Sequence, residues 1–229
     1  MKLMTYNVHS GMDAFGKLDL EGIAKTIKDI DPDICVLNEV RIGCPKCGNI
    51  DQSEFYGSET GMYSRFAKAI DLKEGVYGIA LLSKYPIESF EVMKVPTVPV
   101  AERKPRFEER VIEKALINTP CGRFTVFGSH FGLTDAEQLN ATELLLSEVR
   151  KADTKVVFMG DLNMTPDNEN IKRISKTLTD TDPEHGFTFS SVEPFEKIDY
   201  IFVSPCIEPK KAYTVRTTAS DHMPRITEI

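Results

Sequence analysis

The sequence contains a set of amide, carboxylate and imidazole side chains that stand beside short apolar segments. Each lies where a predicted β-strand ends, or where one begins next to the ends of its neighbours. Core packing does not require such groups, and charges are seldom buried without partners. The set comprises Asn7, Glu39, His130, Asp161, Asn163, Asp199, Asp221 and His222.

These residue types indicate metal-assisted hydrolysis. Glu39, Asp221 and the amide oxygen of Asn7 are hard oxygen ligands, which suit Mg²⁺ or Mn²⁺ together with substrate phosphate. Asp199 paired with His222 would orient an imidazole as a general base. Because the chain has no GxSxG motif to supply a nucleophile, we expect water to attack a phosphoester in line.

Each residue taken alone also has an ordinary structural explanation. Asn7 and Asp221 can cap turns, and Asp161 can be a simple turn residue. Glu39 can pair with its near neighbour Arg41 on the surface, and a single His is more often a hydrogen-bonded core residue. The functional interpretation therefore depends on the whole set, which is spread over nearly the entire chain.

The elements that must position these residues are short strands and a few helices. Residues 2–7 and 34–37 are predicted strands, and the helix between them begins after Asp19 and stops at Pro32. A strand–helix–strand unit favours parallel pairing of its strands. Residues 156–159 form a further apolar strand, after which Gly160 is predicted to turn the backbone sharply.

The middle of the chain contains closely spaced strands that favour antiparallel pairing. Thr134 is predicted to cap an amphipathic helix, and residues 168–176 a shorter one. Many strands and few long helices predict one sheet packed on another, with the helices outside.

Length and composition restrict the function classes. The chain has 229 residues and no linker-like stretch, so we expect a single domain over residues 1–229 and a monomer. A net charge of −7 argues against a protein that grips nucleic acid with a broad basic surface, although a local phosphate site remains open. No apolar run is long enough for a membrane span. The N-terminus has no signal-peptide core, so a cytoplasmic location is expected, although a secreted form without its leader would look the same.

Five cysteines without dense spacing suggest reduced thiols. Cys44-Pro45-Lys46-Cys47 looks like half of a zinc knuckle, but the sequence supplies no second half. A loop with two thiols is therefore favoured over a four-ligand zinc site. A disulfide or redox chemistry across the pair is a third option.

The candidate residues lie in short segments whose order and spacing match a known family. The segments are Thr5-Tyr6-Asn7, Asn38-Glu39-Val40, Tyr77-Gly78-Ile79-Ala80-Leu81-Leu82-Ser83, Ser129-His130-Phe131, Gly160-Asp161-Leu162-Asn163, Ile198-Asp199-Tyr200-Ile201 and Ser220-Asp221-His222. The chain thus resembles the endonuclease/exonuclease/phosphatase superfamily, relatives of deoxyribonuclease I and exonuclease III. The resemblance implies a four-layer α/β sandwich, with two mixed β-sheets packed face to face and helices on both outer faces.

The resemblance also implies a role for each candidate. Asn7, Glu39 and Asp221 belong to the metal site. Asp161 would position or deprotonate the attacking water, and Asn163 would hold that water or the phosphate.

The remaining implied roles concern the histidines and one arginine. Asp199 and His222 would form the paired carboxylate and imidazole. The resemblance leaves open whether His222 acts as a base or as a phosphate-binding cation. His130 is the second phosphate-facing histidine. Arg110 would contact substrate, or alternatively pair with Glu108 or Glu109.

Several positions depart from the family pattern. Asn38 stands where glutamine is usual, which adjusts hydrogen bonding behind the metal site. The region of Tyr77 lacks the glutamate that supports the first histidine of deoxyribonuclease I. The basic cluster Arg103-Lys104-Pro105-Arg106 is interpreted as a solvated loop, or alternatively as a border of the cleft.

The sequence therefore predicts a Mg²⁺-dependent phosphoesterase acting on a phosphodiester or phosphomonoester. A nuclease acting on abasic sites or 3′ ends is the first alternative. A phospholipid or sphingomyelin phosphodiesterase is the second, but it calls for an exposed apolar loop and none is evident in the sequence. A non-catalytic binding protein that retains the fold is the third.

Overall fold

Short segments with alternating or continuous burial form the β-strands of the molecule. A computed structural model describes residues 1–100, 103, 107–184 and 186–229. The strands within these ranges are β1 (Lys2–Asn7), β2 (Ile34–Ile42), β3 (Tyr63–Asp71), β4 (Val76–Ser83), β5 (Ile87–Lys94), β6 (Val111–Thr119), β7 (Gly122–His130), β8 (Lys155–Asp161), β9 (Thr179–Asp180), β10 (Asp199–Val203), β11 (Lys211–Thr214) and β12 (Arg225–Glu228).

The described strands form two mixed six-stranded sheets. The first has the order β11-β12-β1-β2-β4-β3, and the second has the order β5-β6-β7-β8-β10-β9. Each sheet contains one parallel pair, β1–β2 in the first and β7–β8 in the second. The predicted parallel pairing of the first two strands and the predicted antiparallel middle are thus confirmed.

Capping residues begin two of the helices where the sequence predicts. The helices are α1 (Leu20–Ile30), α2 (Gln52–Thr60), α3 (Asp135–Val149) and α4 (Glu169–Ser175). The side chain of Asp19 accepts a hydrogen bond from the Gly22 backbone N–H at 3.0 Å and so begins α1. Thr134 and Glu137 form a reciprocal capping box at the start of α3.

Apolar contacts arrange these elements in four layers. Leu3, Val36, Ala115 and Val157 belong to a core between the two sheets. A second core joins α1 and α2 to the outer face of the first sheet, and a third joins α3 and α4 to the second sheet. The predicted four-layer α/β sandwich is therefore confirmed. No helix within the described ranges is long and apolar enough to cross a lipid bilayer.

Two strand ends differ from the sequence prediction. β2 continues beyond Leu37 to Ile42, because a β-bulge at Asn38 and Glu39 interrupts its pairing with β4 without ending it. Gly160 lies inside β8, opposite Ser129 in β7. A Cβ atom at Gly160 would stand 1.9 Å from the Ser129 carbonyl oxygen, so glycine permits close strand approach and does not turn the chain. Of the predicted basic loop Arg103-Lys104-Pro105-Arg106, residues 104–106 lie outside the described ranges.

Glu113 in β6 should make stability depend on pH. It is 1% exposed, neither carboxylate oxygen has a hydrogen-bond partner among the described residues, and burial raises its pKa well above the usual value. The folded state thus keeps a proton that the unfolded state releases, so stability falls as pH rises above about 4.3 toward the folded pKa. Each pKa unit of difference corresponds to about 1.4 kcal/mol.

Urea unfolding of Glu113→Gln should therefore show a gain in free energy of unfolding over the wild type at pH 8, and a smaller difference at pH 5. Glu91→Gln, which changes an exposed residue of the neighbouring strand β5, should show no such trend. Parallel pH profiles for wild type and Glu113→Gln would contradict a buried, protonated Glu113.

Candidate active site

The site lies where strands from both sheets end side by side. Asn7 ends β1 and is paired with Asn38 at the bulge of β2, and His130 is paired with Asp161 at the ends of β7 and β8. Asp199 begins the antiparallel strand β10 directly opposite Asp161. Strand pairing alone therefore brings together residues that are far apart in the sequence, as the sequence analysis predicts.

Asn38 connects the two sheets at this point. Its amide nitrogen donates to the Ser129 carbonyl oxygen at 2.9 Å, and its amide oxygen accepts from the Asp161 backbone N–H at 3.0 Å. Asn38 is fully buried, so both hydrogen bonds are made away from water. Asn38, which was predicted to adjust hydrogen bonding behind the metal site, thus joins β2 to β7 and β8 by hydrogen bonds.

Asp161 is an almost completely enclosed carboxylate in the middle of the site. It is 1% exposed, and one of its oxygens accepts from the Asn7 amide nitrogen at 3.0 Å. The other oxygen accepts from the Asn163 backbone N–H at 3.0 Å. Burial, followed by the neighbouring carboxylate of Asp199, raises the pKa of Asp161 to about 7. A carboxylate with this pKa is suited to taking a proton near neutral pH.

The amide of Asn7 has a different orientation from the predicted one. Its nitrogen faces Asp161 and also Glu39, at 3.3 Å, while its oxygen accepts from the His9 backbone N–H at 3.0 Å. The predicted oxygen ligand is therefore already engaged by the backbone. In this arrangement the Asn7 amide nitrogen contacts both carboxylates, and the predicted role of Asn7 in metal binding stays a prediction.

Glu39 enters the site from the bulge in β2. Its φ angle of 62° is in the left-handed region, which is uncommon for a residue with a side chain and is often found at functional sites. Burial raises the pKa of Glu39, and the nearby Asp221 carboxylate adds to this effect. The suggested surface pair with Arg41 does not form, because the Arg41 side chain donates to the Ser10 hydroxyl and lies over the Tyr77 ring.

His222 and Asp199 form a buried pair. The Nδ1 atom of His222 lies 2.9 Å from a carboxylate oxygen of Asp199, and its Nε2 atom lies 3.7 Å from Asp161. Since an ionised carboxylate only accepts hydrogen bonds, Nδ1 carries a proton and donates a hydrogen bond to Asp199. Burial by itself lowers the pKa of His222, but Asp199 and Asp161 outweigh it and raise the pKa to about 10. The structure thus brings together the pair predicted from the sequence.

His130 has the opposite electrostatic environment. Burial, then the positive charge of Arg110, lowers its pKa well below the usual value, so the ring is neutral at pH 7. A guanidinium only donates, and Arg110 Nη1 lies 3.1 Å from His130 Nδ1. Nδ1 is therefore the acceptor, and the Nε2–H group faces Asp161 at 3.6 Å.

Arg110 makes one of the two contacts that the sequence analysis considered, and its contact with substrate stays a prediction. It pairs with Glu108 at 3.1 Å, but its side chain is only 8% exposed and contacts His130. The hydroxyl of Tyr77 also lies 3.3 Å from His130 Nδ1, where deoxyribonuclease I relatives were expected to carry an acid. Tyr77 belongs to one of the motif segments, but its type gave no signal of this contact.

Comparison with known proteins shows the family of the chain. The sequence model of the Endonuclease/Exonuclease/phosphatase family matches residues 4–222. The chain belongs to this family. Its relatives include the uncharacterized protein YbhP of Escherichia coli K12, which is 27% identical over an alignment covering all of this chain and 95% of YbhP.

Two solved structures show the same fold. An endonuclease/exonuclease/phosphatase from Beutenbergia cavernae has a TM-score of 0.83 and 21% identity, covering 99% of this chain and 70% of that one. The mannosyl-6-phosphatase Bt3783 of Bacteroides thetaiotaomicron has a TM-score of 0.76 and 16% identity, covering 100% and 98% of the two chains. Members of this family are hydrolases of phosphoester bonds, and the chain is an enzyme of that class.

The remaining predicted residues of the family site lie at its rim. Asp221 is partly exposed, and its carboxylate lies 3.7 Å from His9 Nδ1. Asn163 has a φ angle of 51°, and its amide nitrogen donates to the Phe131 carbonyl oxygen at 3.0 Å, which leaves its side-chain oxygen without a partner among the residues that the structure describes. His9 was not predicted, although its position two residues after Asn7 was a possible signal.

A second set of potential metal ligands lies within the family site. Asp161, Asp199 and His222 each offer one ligand atom, and these atoms lie within 4.8 Å of one another. One oxygen of Asp199 has no hydrogen-bond partner among the described residues, whereas the other is engaged by His222. Because His222 is held as a cation, its ring nitrogens carry protons, so a divalent cation would be bound by carboxylate oxygens, with Glu39 and Asp221 adding hard oxygen atoms.

The Asp199–His222 contact should control the charge of His222. In Asp199→Asn the carboxylate that contributes most to raising the pKa is removed, so the pKa of His222 should fall from about 10 toward the usual value near 6.5. NMR titration of the imidazole resonances in buffer with EDTA measures this shift, with His222→Gln assigning the signal.

Glu193→Gln provides a matched control, because this exposed carboxylate lies on the loop that precedes β10. It should leave the titration of His222 unchanged. Identical titration curves for His222 in the wild type and in Asp199→Asn would contradict the assigned electrostatics.

Proposed function

We propose that the protein is a Mg²⁺-dependent phosphoesterase that hydrolyses a small phosphodiester or phosphomonoester by in-line attack of water. The arrangement around Asp161 is the observation that carries the proposal. This buried carboxylate contacts Asn7 and lies near both His130 and His222. A carboxylate whose pKa is raised to about 7 and which faces two imidazoles is suited to orienting and deprotonating a water molecule.

The metal ion would be held by Glu39 and Asp221. Burial raises the pKa of Glu39, the Asp221 carboxylate adds to this effect, and a hard cation relieves the repulsion between the two groups. Mg²⁺ fits these oxygen donors, and Mn²⁺ is the alternative. When bound, the ion would neutralise charge on the phosphate oxygens.

The chain's own polar groups would perform the remaining tasks. Asp161 accepts the proton of the attacking water, and the amide oxygen of Asn163 holds that water. The neutral His130 donates from Nε2–H to a phosphate oxygen, since Arg110 occupies its other nitrogen. His222, kept positively charged by Asp199, stabilises the negative charge that develops in the transition state.

The substrate is proposed to be small or flexible. A net charge of −7 supports weak, strongly salt-dependent binding to duplex nucleic acid, so a nuclease activity is the less favoured alternative. The mannosyl-6-phosphatase with the same fold acts, by its name, on a sugar phosphate. A binding protein without activity is disfavoured because the chain has all of the polar residues that the family resemblance assigns to the site. A single domain over residues 1–229, a monomer and a cytoplasmic location stay predictions.

Hydrolysis of bis-p-nitrophenyl phosphate and p-nitrophenyl phosphate tests the proposal. Purified protein should release p-nitrophenol with Mg²⁺ or Mn²⁺ and lose this activity in EDTA. Asp161→Asn should lower kcat by about 10²–10⁴-fold, since general acid–base groups contribute this much. Asp153→Asn, at an exposed position just before β8, is the matched control and should keep wild-type rates.

The metal assignment has its own readout in the same assay. Glu39→Gln should raise the Mg²⁺ concentration that gives half-maximal activity, whereas Glu74→Gln in the exposed β3–β4 turn should not. Metal-independent turnover, or a wild-type rate in Asp161→Asn, would overturn the proposed mechanism.

A phospholipid or sphingomyelin phosphodiesterase is a second candidate. The sequence showed no exposed apolar loop, but the segment between β9 and β10 exposes Phe187, Val192 and Phe195 by about half each. This segment adjoins the site, because the Ser191 backbone N–H donates to the Asp221 carbonyl oxygen at 2.7 Å. Apolar side chains beside a phosphate site match the needs of a lipid headgroup at a membrane surface.

Flotation with phosphatidylcholine–sphingomyelin vesicles tests this candidate. Wild-type protein should float with the vesicles and hydrolyse their headgroups, and Phe187→Ser with Phe195→Ser should reduce both. Tyr63→Ser removes an equally exposed aromatic residue at the opposite end of the first sheet and should change neither. Absence of flotation together with activity on soluble esters would overturn the phospholipid candidate.

A further inference from the structure

The turn after β2 places two thiols in direct contact. The Sγ atoms of Cys44 and Cys47 lie 2.8 Å apart, and both residues are less than 8% exposed. A short 3-10 turn over Pro45–Cys47 brings them together. The family motifs do not include this pair, and the proposed hydrolysis does not use it.

The geometry argues against a zinc ion at this position. Two thiolates bound to one tetrahedral zinc by bonds of about 2.3 Å stand roughly 3.8 Å apart, which is 1 Å more than the observed separation. Within the described ranges the pair also has no third His, Cys, Asp or Glu at ligand distance.

We propose that Cys44 and Cys47 form a reversible disulfide that locks this turn. The oxidant is a low-molecular-weight disulfide such as oxidised glutathione. The thiolate of one cysteine attacks a sulfur of that disulfide and releases one small thiol. The second cysteine then attacks the protein-bound sulfur and releases the other small thiol. Two protein thiols are oxidised, one small disulfide is reduced, and both protons end on the released thiols.

The surrounding backbone already has the closed shape that such a bond requires. The Cys44 carbonyl oxygen accepts from the N–H groups of Cys47 and Asn49 at 2.9 Å and 2.8 Å. The Gly43 N–H donates to the Ile50 carbonyl oxygen at 3.0 Å and closes the base of the loop. Bond formation therefore moves two side chains and leaves the backbone hydrogen bonds in place.

Gln52 connects the turn to the edge of the site. Its amide nitrogen donates to the carbonyl oxygens of Cys47 and Ser10, and its amide oxygen accepts from the Arg41 backbone N–H at 2.9 Å. Ser10 follows His9, which faces Asp221. A disulfide in the turn would thus fix the Cys47 carbonyl group. This group accepts from Gln52, whose side chain also holds the Ser10 carbonyl group next to His9.

Peptide mapping of the oxidised protein tests the proposal. Trypsin cleaves after Lys46, between the two cysteines, so the disulfide keeps peptides 42–46 and 47–65 joined. The full chain is incubated with oxidised glutathione, alkylated in acid, digested and analysed by mass spectrometry. The joined peptides should appear with a loss of two hydrogens, and dithiothreitol should separate them.

Variants keep the test specific. Cys121→Ser with Cys206→Ser removes the two exposed thiols and should leave the joined peptides unchanged. Cys44→Ser should abolish them. The oxidised wild type should also unfold at a temperature roughly 3–8 °C higher than the reduced protein, because a cross-link restricts the unfolded chain.

The folded state should favour this bond. The equilibrium constant for oxidation by glutathione should be at least tenfold larger in native protein than in urea, since folding holds the sulfurs together. Separate peptides after oxidation, glutathione adducts on Cys44 or Cys47 in place of the cross-link, or an equal equilibrium constant in urea would each overturn the proposal.

Discussion

The site depends on one buried carboxylate at the contact between the two sheets. Asp161 is almost completely enclosed, and an unpartnered charge in such a place is strongly destabilising. Its hydrogen-bond partners come from both sides of the contact: Asn7 ends β1 in the first sheet, and Asn163 follows β8 in the second. Asn38 fixes the Asp161 backbone from the first sheet as well. The core between the sheets is therefore also the scaffold of the chemistry.

The backbone near this contact is held in conformations that residues with side chains seldom adopt. Glu39 and Asn163 both have left-handed φ angles, each with a cost on the order of 1–3 kcal/mol. In Glu39 the bulge of β2 produces this conformation and aims the carboxylate toward Asn7. The surrounding strand pairs stabilise it, so the stability of the sheets offsets the local strain that directs these two side chains.

The two histidines of the site acquire opposite properties from their neighbours. His222 contacts two carboxylates and is held as a cation, whereas His130 contacts Arg110 and is held neutral. The same contacts decide which ring nitrogen donates in each case. One imidazole thus offers positive charge and the other a neutral N–H group, although both face the same carboxylate. This division of charge is what makes the pair suited to phosphate chemistry.

Local patterns in the sequence are sufficient to predict the layers, most strand positions and the set of polar residues at strand ends. Local apolar periodicity, capping residues such as Asp19 and Thr134, and the order of the motif segments carry that information. The tertiary structure alone decided that Asn7 turns its nitrogen toward Asp161, that Tyr77 supports His130 and that the thiols of Cys44 and Cys47 touch. It also decided that Phe187 and Phe195 are exposed. These features depend on through-space neighbours, such as Asn7 and Asp161, which are 154 residues apart, and local sequence patterns do not encode such contacts.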